Sequence, residues 1–291
     1  MDIKAILMGL AFAAMWSSAF TSARIIVEFA PPLTALACRF LVSGLIGIAI
    51  AKALGQNMNL SRRQWRGVLI FGLCQNALYL GMNFVAMQTI QASLAAIIAS
   101  TMPLLVGLAG WLFMGQKLRP LGVAGLTAGF IGVTIIMWGR LTGGVDVFGL
   151  ALLILGVISL TIATLAVMGA SSGGNVLMIV GLQMLVGSAI LWGPALAFES
   201  FDIAWNWQLI VAFIYTTLVP GLLATWVWFM LVGRIGAGKA STFHFLNPFL
   251  GVAIAAVLLG EKLGADDVLG VIIIAGGILA VQMSKQPVTN R

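Results

Sequence analysis

Two long stretches without a charged residue constrain this fold more than any other feature of the sequence. Neither 67–116 nor 147–198 contains Asp, Glu, Lys or Arg. A helix needs only ~20 apolar residues to cross a bilayer, so each stretch is long enough for two crossings. The whole chain is 61% hydrophobic and only 8% charged, whereas soluble domains carry about 25% charged residues. The sequence therefore predicts an all-α, polytopic membrane protein, because nothing in it shows the polarity alternation of a membrane β-barrel.

Apolar segments separated by turn-forming or charged residues predict ten transmembrane helices. The first runs from Ile3 to Ala23, which is longer than the ~7–15-residue core of a signal peptide. The other nine are expected near 32–53, 67–87, 92–114, 120–138, 147–169, 176–198, 207–231, 238–259 and 265–283. A break at 171–174 separates the sixth from the seventh.

The second half of the chain resembles the first at an offset of 145 residues. Between 103 and 118 this offset gives five identities, at Pro103, Leu105, Gly115, Lys117 and Leu118. Shared low complexity is the alternative explanation, but the aligned proline and Gly-x-Lys-Leu favour a repeat. We therefore predict two five-helix repeats, 1–139 and 147–284. Because five is odd, the second repeat is inverted in the membrane, which is typical of alternating-access transporters with substrate near the midplane.

Basic residues define the predicted orientation. If both termini are cytoplasmic, the inner segments hold Lys4, Lys52, Arg62, Arg63, Arg66, Lys117, Arg119, Arg234, Lys239, Lys285 and Arg291. The outer segments then hold only Arg24, Arg140 and Lys262, while Arg39 lies within a span. Cytoplasmic segments of membrane proteins carry an excess of Lys and Arg. We therefore predict a multi-pass protein with both termini in the cytoplasm.

Composition disfavours several other functions. The formal charge of +7 does not indicate nucleic-acid binding, because the basic residues lie at span ends and form no patch on a soluble face. Cys38 and Cys74 both fall in spans, so we predict no disulfide and no metal site. The glycine-rich stretches lack the Lys-Ser/Thr of a nucleotide-binding loop, which argues against ATP-driven transport.

An enzyme and a channel are the other two classes to weigh. A membrane-embedded enzyme would need clustered Asp, Glu or His in its spans, and the chain has one His. We therefore predict no catalytic residue and no cofactor. A channel would carry currents far above the turnover of a transporter.

Three local patterns resemble a known family. They are Trp16-Ser-Ser in span one, Ala37-Cys-Arg39-Phe in span two, and Ala-Ser…Pro…Gly-x-Lys-Leu at 92–118 and again at 240–263. With the ten spans they resemble the drug/metabolite transporter superfamily, specifically proteins with paired EamA domains, and most of all the YddG-like amino-acid exporters. The resemblance implies export of amino acids, often aromatic, or related small metabolites across the bacterial inner membrane. One departure is Gln116, which stands where the second repeat has Glu261.

A multidrug exporter of the same superfamily is the alternative. Proton-coupled export of cations generally needs a carboxylate embedded in the membrane. All acidic residues of this chain fall in loops or at span ends, namely Asp2, Glu28, Asp146, Glu199, Asp202, Glu261, Asp266 and Asp267. The sequence therefore favours amino acids over cationic drugs.

Polar and aromatic residues within the spans are the candidates for a substrate cavity. The chosen set is Trp16, Gln75, Tyr79, Asn83, Ser100, His244 and Asn247. His244 can relay protons or donate a hydrogen bond to substrate. Alternatively, it is a neutral imidazole with a structural role, hydrogen-bonded to a neighbouring helix. Pro248 and Pro103 should kink their helices and free a carbonyl one turn earlier, which could receive a substrate amino group.

Gln75, Tyr79 and Asn83 share a helix face, where they either line a cavity or join two helices. Trp226 and Trp228 are ambiguous between interface anchors and cavity residues.

Arg39 has two interpretations. We expect it to snorkel to the interface or to bond backbone carbonyls, and binding a substrate carboxylate is the less favoured role. Glycines at 125, 129, 276 and 277 permit close helix contact, which we interpret as packing within one chain rather than a dimer. The expected partners are small-molecule substrates and membrane lipid, with the protein a monomer or weak dimer.

Overall fold

Ten helices long and apolar enough to cross a membrane lie in the described part of the chain, which confirms the predicted all-α, polytopic fold. The structure is a computed structural model that describes residues 2–117, 119–167 and 173–284. Leu118, Lys285, Arg291 and the predicted break at 171–172 lie outside these residues. The helices are α1 (Ile3–Phe29), α2 (Pro32–Ala53), α3 (Arg62–Ala86), α4 (Ala92–Phe113), α5 (Pro120–Thr142), α6 (Val147–Ala166), α7 (Val176–Phe198), α8 (Trp207–Ile235), α9 (Ser241–Leu259) and α10 (Ala265–Ser284).

The predicted end of the first span is wrong, since α1 continues from Ala23 to Phe29. The prediction stopped at the charge on Arg24, but the structure gives this side chain partners. Its guanidinium donates a hydrogen bond to the carbonyl of Met87 and lies 3.5 Å from Glu28, one helical turn later. A paired arginine near a span end is compatible with a continuous helix.

Four of the helices are irregular at related positions. A π-helical segment, Gly72–Tyr79, interrupts α3, and a second, Val219–Leu223, interrupts α8. The offset of 145 residues places the second segment on 74–78, inside the first. In α4 the regular helix breaks at Thr101, and α9 begins with a 3₁₀ segment, Ser241–Leu246.

The breaks in α4 and α9 each come just before a proline. Pro103 and Pro248 are the second residues of the helical segments that begin at Met102 and Asn247. Proline has no N–H to donate and its ring clashes with the preceding turn, which kinks or breaks a helix. The predicted disruption of both helices at these prolines is therefore confirmed.

Contacts divide the chain into two compact units, each of which takes helices from both halves of the sequence. Unit one comprises Met1–Thr21, Gln91–Val147 and Ala224–Arg291, and unit two comprises Ser22–Ile90 and Phe148–Leu223. The compact units therefore cut across the predicted repeats 1–139 and 147–284. Those repeats are a statement about sequence similarity and stay a prediction.

Glycines bring α5 and α10 of unit one into close contact. A β-carbon added to Gly277 would lie 2.6 Å from the carbonyl oxygen of Gly125, and one added to Gly132 would lie 2.9 Å from that of Gly270. Real β-carbons do not come this close to backbone atoms, so the two helices can only pack here through glycine. The interpretation of Gly125 and Gly277 as packing within one chain is confirmed.

In each unit an acidic side chain accepts hydrogen bonds from the backbone N–H groups at the start of a helix. In unit one the carboxylate of Glu261 accepts hydrogen bonds from the backbone N–H groups of Ala92 and Ser93, at 2.7 and 3.0 Å. In unit two Glu199 accepts from the N–H groups of Leu33 and Thr34, at 2.7 and 2.8 Å. The first N–H groups of a helix have no partner within it, and the helix dipole favours a negative charge there. These carboxylates therefore anchor the N-termini of α4 and α2.

A buried ion pair joins α5 to α10 in unit one. The Arg140 guanidinium donates to both carboxylate oxygens of Asp267, at 3.1 and 2.9 Å, and to Oε1 of Gln91 at 2.5 Å. Two-point pairing of this kind fixes the relative position of the two helix ends. The predicted topology places these three residues on the same side of the membrane, which is consistent with the hydrogen bonds between them.

Candidate functional site

Four ring-bearing residues of unit one form a cluster that we call the aromatic wall, consisting of Phe12, Trp16, Trp228 and His244. Phe12 is its centre, with ring-centre distances of 5.8 Å to Trp16, 4.7 Å to Trp228 and 5.4 Å to His244. Trp228 also lies 5.2 Å from His244. Phe12 is buried, whereas the other three are half-buried. The wall is therefore built from side chains of α1, α8 and α9, and its two indole rings and its imidazole are each partly exposed.

Close packing of α1 against α9 positions the wall. A β-carbon at Gly9 would lie 2.3 Å from the ring of Phe243, so only glycine allows α1 to approach this closely. Ala5, Leu231, Ala240 and Phe243 form a buried core cluster, and Trp228 of the wall packs against it. These small and apolar residues hold the three helices together beside the wall.

His244 and Asn247 form a polar pair beside the rings. The side-chain amide nitrogen of Asn247 lies 3.0 Å from Nδ1 of His244. Because an amide nitrogen can only donate, Nδ1 is the acceptor and the neutral ring carries its proton on Nε2. The amide oxygen of Asn247 is buried without a hydrogen-bond partner among the described residues. A buried acceptor that makes no hydrogen bond costs free energy, so this oxygen is suited to accept a hydrogen bond from a ligand.

The carbonyl that Pro248 was expected to free is not left open. The backbone N–H of Asn247 donates to the carbonyl of His244, because the 3₁₀ segment tightens the chain before the proline. The expectation that this carbonyl waits for a substrate amino group is therefore not supported. Among the described residues, the acceptor without a partner in this region is instead the side-chain amide oxygen of Asn247.

Ser100 belongs to the same unit but is satisfied within its own helix. Its hydroxyl is buried and donates to the carbonyl of Ala96 at 2.6 Å. The structure thus brings Trp16, His244 and Asn247 together around the ring of Phe12, while Ser100 is tied to α4. The substrate role of all four stays a prediction.

The predicted polar stripe Gln75, Tyr79 and Asn83 lies in unit two. Tyr79 and Asn83 are buried against α6, where a β-carbon at Gly156 would lie 3.0 Å from the amide nitrogen of Asn83 and 3.5 Å from the ring of Tyr79. That nitrogen donates to the carbonyl of Tyr79 at 2.8 Å, and the amide oxygen of Asn83 has no partner among the described residues. Gln75 is half-buried. This geometry favours helix contact for Tyr79 and Asn83 and leaves Gln75 as the more accessible member.

The expectation that the side chain of Arg39 snorkels to the membrane interface is wrong. Its residue exposure is 6%, and Nε is buried without a hydrogen-bond partner among the described residues. The guanidinium carbon lies 5.2 Å from the centre of the neighbouring Phe40 ring. Arg39 is therefore a buried cation, and the expected bond to backbone carbonyls is not formed.

A cavity of about 1010 Å³ lies at the end of unit two, around Pro31 and Pro32. Its wall includes Glu199, which is already used as the cap of α2. None of the candidate residues lines it. The cavity therefore marks the end of unit two and does not contain the candidate substrate contacts.

The sequence missed Phe12 and left Trp228 undecided. Phe12 has the same type and spacing as many apolar residues of a transmembrane helix, so nothing in its pattern marks it as a centre. Trp226 and Trp228 differ only in the helix face they occupy. The structure separates them, since Trp228 contacts two rings of the wall and Trp226 is 49% exposed.

Comparisons with known proteins agree with this architecture. The model of the EamA-like transporter family matches residues 3–138 and 147–283. The uncharacterized transporter YvbV of Bacillus subtilis is 27% identical over 273 residues, covering 94% of this chain and 89% of its own. The uncharacterized inner membrane transporter YedA of Escherichia coli is 26% identical over 278 residues, covering 93% and 88%. A crystal structure that is 20% identical superposes with a TM-score of 0.69 over 98% of this chain and all of the other, which shows a shared fold.

Proposed function

Because this chain belongs to the EamA-like transporter family, we propose that it exports amino acids, aromatic and other, and related small metabolites across the bacterial inner membrane by alternating access. The aromatic wall is the observation that supports this class of substrate. It offers two indole rings for stacking on an apolar or aromatic side chain. The same rings can hold a substrate ammonium group over their faces.

Asn247 completes the recognition of an amino acid at the wall. Its amide oxygen has no partner among the described residues and accepts hydrogen bonds only. A substrate ammonium group supplies three donors, so it can satisfy this buried acceptor. The wall contains no carboxylate, and a site for permanently cationic drugs would gain little from Asn247 because such cations carry no N–H. The arrangement therefore favours amino acids over the multidrug alternative.

The irregular helices support alternating access. The two π-helical segments lie at positions related by the repeat offset, and the breaks in α4 and α9 come before prolines related by the same offset. π-helical segments and interrupted helices are common at functional and moving parts of transporters. We propose that units one and two, rather than the two sequence halves, are the bodies that move.

Cysteines placed in two loops test the proposed orientation. Asn59 and Thr142 are both exposed, and the charge pattern places Asn59 in the cytoplasm and Thr142 outside. In a background without Cys38 and Cys74, a membrane-impermeant thiol reagent added to intact cells should label T142C and spare N59C. Permeabilised cells should label both. Labelling of both from outside would contradict the predicted topology.

Direct uptake into proteoliposomes tests the substrate class. Radiolabelled aromatic amino acids should accumulate faster than in protein-free vesicles, and cationic dyes should not. Transport of dyes without transport of amino acids would favour the multidrug alternative and contradict the proposal.

Two tryptophans on α8 make a matched pair of variants for the same assay. Trp228→Ala removes a ring from the wall and should lower amino-acid uptake about tenfold or more, as expected for the loss of a large aromatic contact. Trp226→Ala removes an equal side chain from an exposed position of the same helix and should leave uptake unchanged. Equal effects of the two substitutions would contradict a role for the wall.

A further inference from the structure

Arg39 of unit two is a buried cation without an ion-pair partner among the described residues. It is 6% exposed, and its Nε makes no hydrogen bond to any residue that the structure describes. It follows Pro32, the first residue of α2, by seven positions, which corresponds to about 10 Å along a helix axis. A charged side chain at such a depth in a bilayer is costly and is usually paired. The surroundings of Arg39 thus lack an anion that would stabilise it.

The acidic residues of unit two are all engaged or placed elsewhere. Glu199 is held by the first N–H groups of α2 and by the hydroxyl of Thr34. Glu28 pairs with Arg24, and Asp202 is exposed in the loop after α7. The carboxylates of unit two therefore do not supply the missing charge.

The surroundings of Arg39 include a second donor. A β-carbon at Gly221 would lie 3.2 Å from the carbonyl oxygen of Thr216, 3.5 Å from Oγ of Ser43 and 3.6 Å from Nη2 of Arg39. Ser43 follows Arg39 by one turn of α2, and its hydroxyl makes only a long hydrogen bond of 3.4 Å to the carbonyl of Thr217. Gly221 lies in the π-helical segment of α8. The guanidinium and the hydroxyl thus lie close to the same point beside this glycine.

This arrangement matches the chemistry of carboxylate recognition. A guanidinium presents a planar fork of N–H donors that binds both oxygens of a carboxylate. The Phe40 ring, 5.2 Å from the guanidinium carbon, stabilises the cation. We propose that Arg39, with Ser43, binds the carboxylate group of an organic acid at the π-helical segment of α8 in unit two. This inference rests on the proposed function in taking that acid to be an amino acid or a related metabolite.

Ligand pairs that differ only in the carboxylate test the inference without any substitution. The purified full-length protein in detergent is heated with L-phenylalanine or L-phenylalaninamide, and with 3-phenylpropionate or 3-phenylpropionamide. Each acid should raise the midpoint of thermal unfolding with an apparent affinity at least about tenfold higher than its amide, as expected for a charged hydrogen-bonded contact. Equal affinities for acid and amide, or no stabilisation by either acid, would overturn it.

Substitutions at Arg39 then assign the contact to this side chain. R39Q should bind acids and amides alike, at the affinity that the unchanged protein shows for the amides. R39K keeps the charge but not the fork, so it should retain part of the preference. R63Q is the matched control, because Arg63 is an exposed arginine of the same unit, and it should behave as the unchanged protein. A folded R39Q with an intact preference would overturn the inference.

The outcomes separate this inference from the proposed function. If phenylalanine is transported but acids and amides bind equally, amino-acid export stands and the role of Arg39 fails. If 3-phenylpropionate stabilises the protein through Arg39 but no amino acid is transported, the carboxylate site stands and the substrate is a different organic acid.

Discussion

Replacement of His244 by alanine is expected to lower amino-acid flux about tenfold or more while the protein stays folded and inserted. The imidazole contacts Phe12 and Trp228, and its Nδ1 accepts the hydrogen bond of Asn247. Without it, the buried amide nitrogen of Asn247 also loses its partner, which costs about 1–3 kcal/mol. A transport barrier that is higher by about 1.4 kcal/mol lowers the rate about tenfold. Flux into proteoliposomes and the unfolding midpoint of the same preparation measure the two effects.

Two variants sharpen this prediction. His244→Gln retains a side-chain acceptor for Asn247 and should recover part of the flux if hydrogen bonding is the role. Thr242→Ala is the control in the same 3₁₀ segment, because its hydroxyl bonds only to the carbonyl of Lys239, and it should transport normally. If His244 also carries the proton, the flux of the unchanged protein should depend on pH and that of the glutamine variant should not. Normal flux of His244→Ala at every pH would remove the residue from the mechanism.

Gly277→Ala is expected to destabilise the protein more than a surface substitution does. The new β-carbon would lie 2.6 Å from the carbonyl oxygen of Gly125 and 2.8 Å from the backbone nitrogen of Gly129. Neither is the end of a flexible side chain, so α5 and α10 must separate, and such overpacking costs about 1–3 kcal/mol. The midpoint of thermal unfolding in detergent should fall by several degrees.

The adjacent glycine is a matched control for this substitution. A β-carbon at Gly276 would meet nothing within 4 Å. Alanine is also the better helix former, by about 0.5–1 kcal/mol in a helix interior. Gly276→Ala should therefore leave stability unchanged or raise it. Equal midpoints for the two alanine variants would contradict the close packing of α5 on α10.

The number and placement of the spans could be predicted because the bilayer imposes them. Ten apolar segments separated by charges leave little choice of fold class. The error at the end of α1 arose from Arg24, whose charge alone suggests a boundary. Glu28 lies one turn later on the same helix and could have been weighed as a partner, whereas the carbonyl of Met87 is brought to Arg24 only by the fold.

The helix irregularities divide into a predictable and an unpredictable part. The breaks before Pro103 and Pro248 follow from proline chemistry and were expected. The π-helical segments were not, because a helix widened by one residue leaves no mark in composition or periodicity. Only their common position in the two halves, seen afterwards, relates them to the repeat.

The candidate site could be predicted in its polar residues but not in its aromatic centre. His244 and Asn247 attract attention because polar side chains in a span are rare. Phe12 does not, since its role depends on which helices meet at its ring. Arg39 was expected to snorkel because it lies close to the interface, but the structure shows that its side chain is buried.

Counterflow with purified protein tests the central claim most directly. Proteoliposomes are loaded with one unlabelled amino acid and diluted into a trace of the same labelled amino acid, for each common amino acid in turn, with and without a pH gradient. Alternating access by an amino-acid carrier predicts a transient accumulation of label above equilibrium for aromatic amino acids, and a lower one for Trp228→Ala. Entry of label that rises to equilibrium without overshoot would indicate a channel, and no entry of any amino acid would contradict the assigned substrate class.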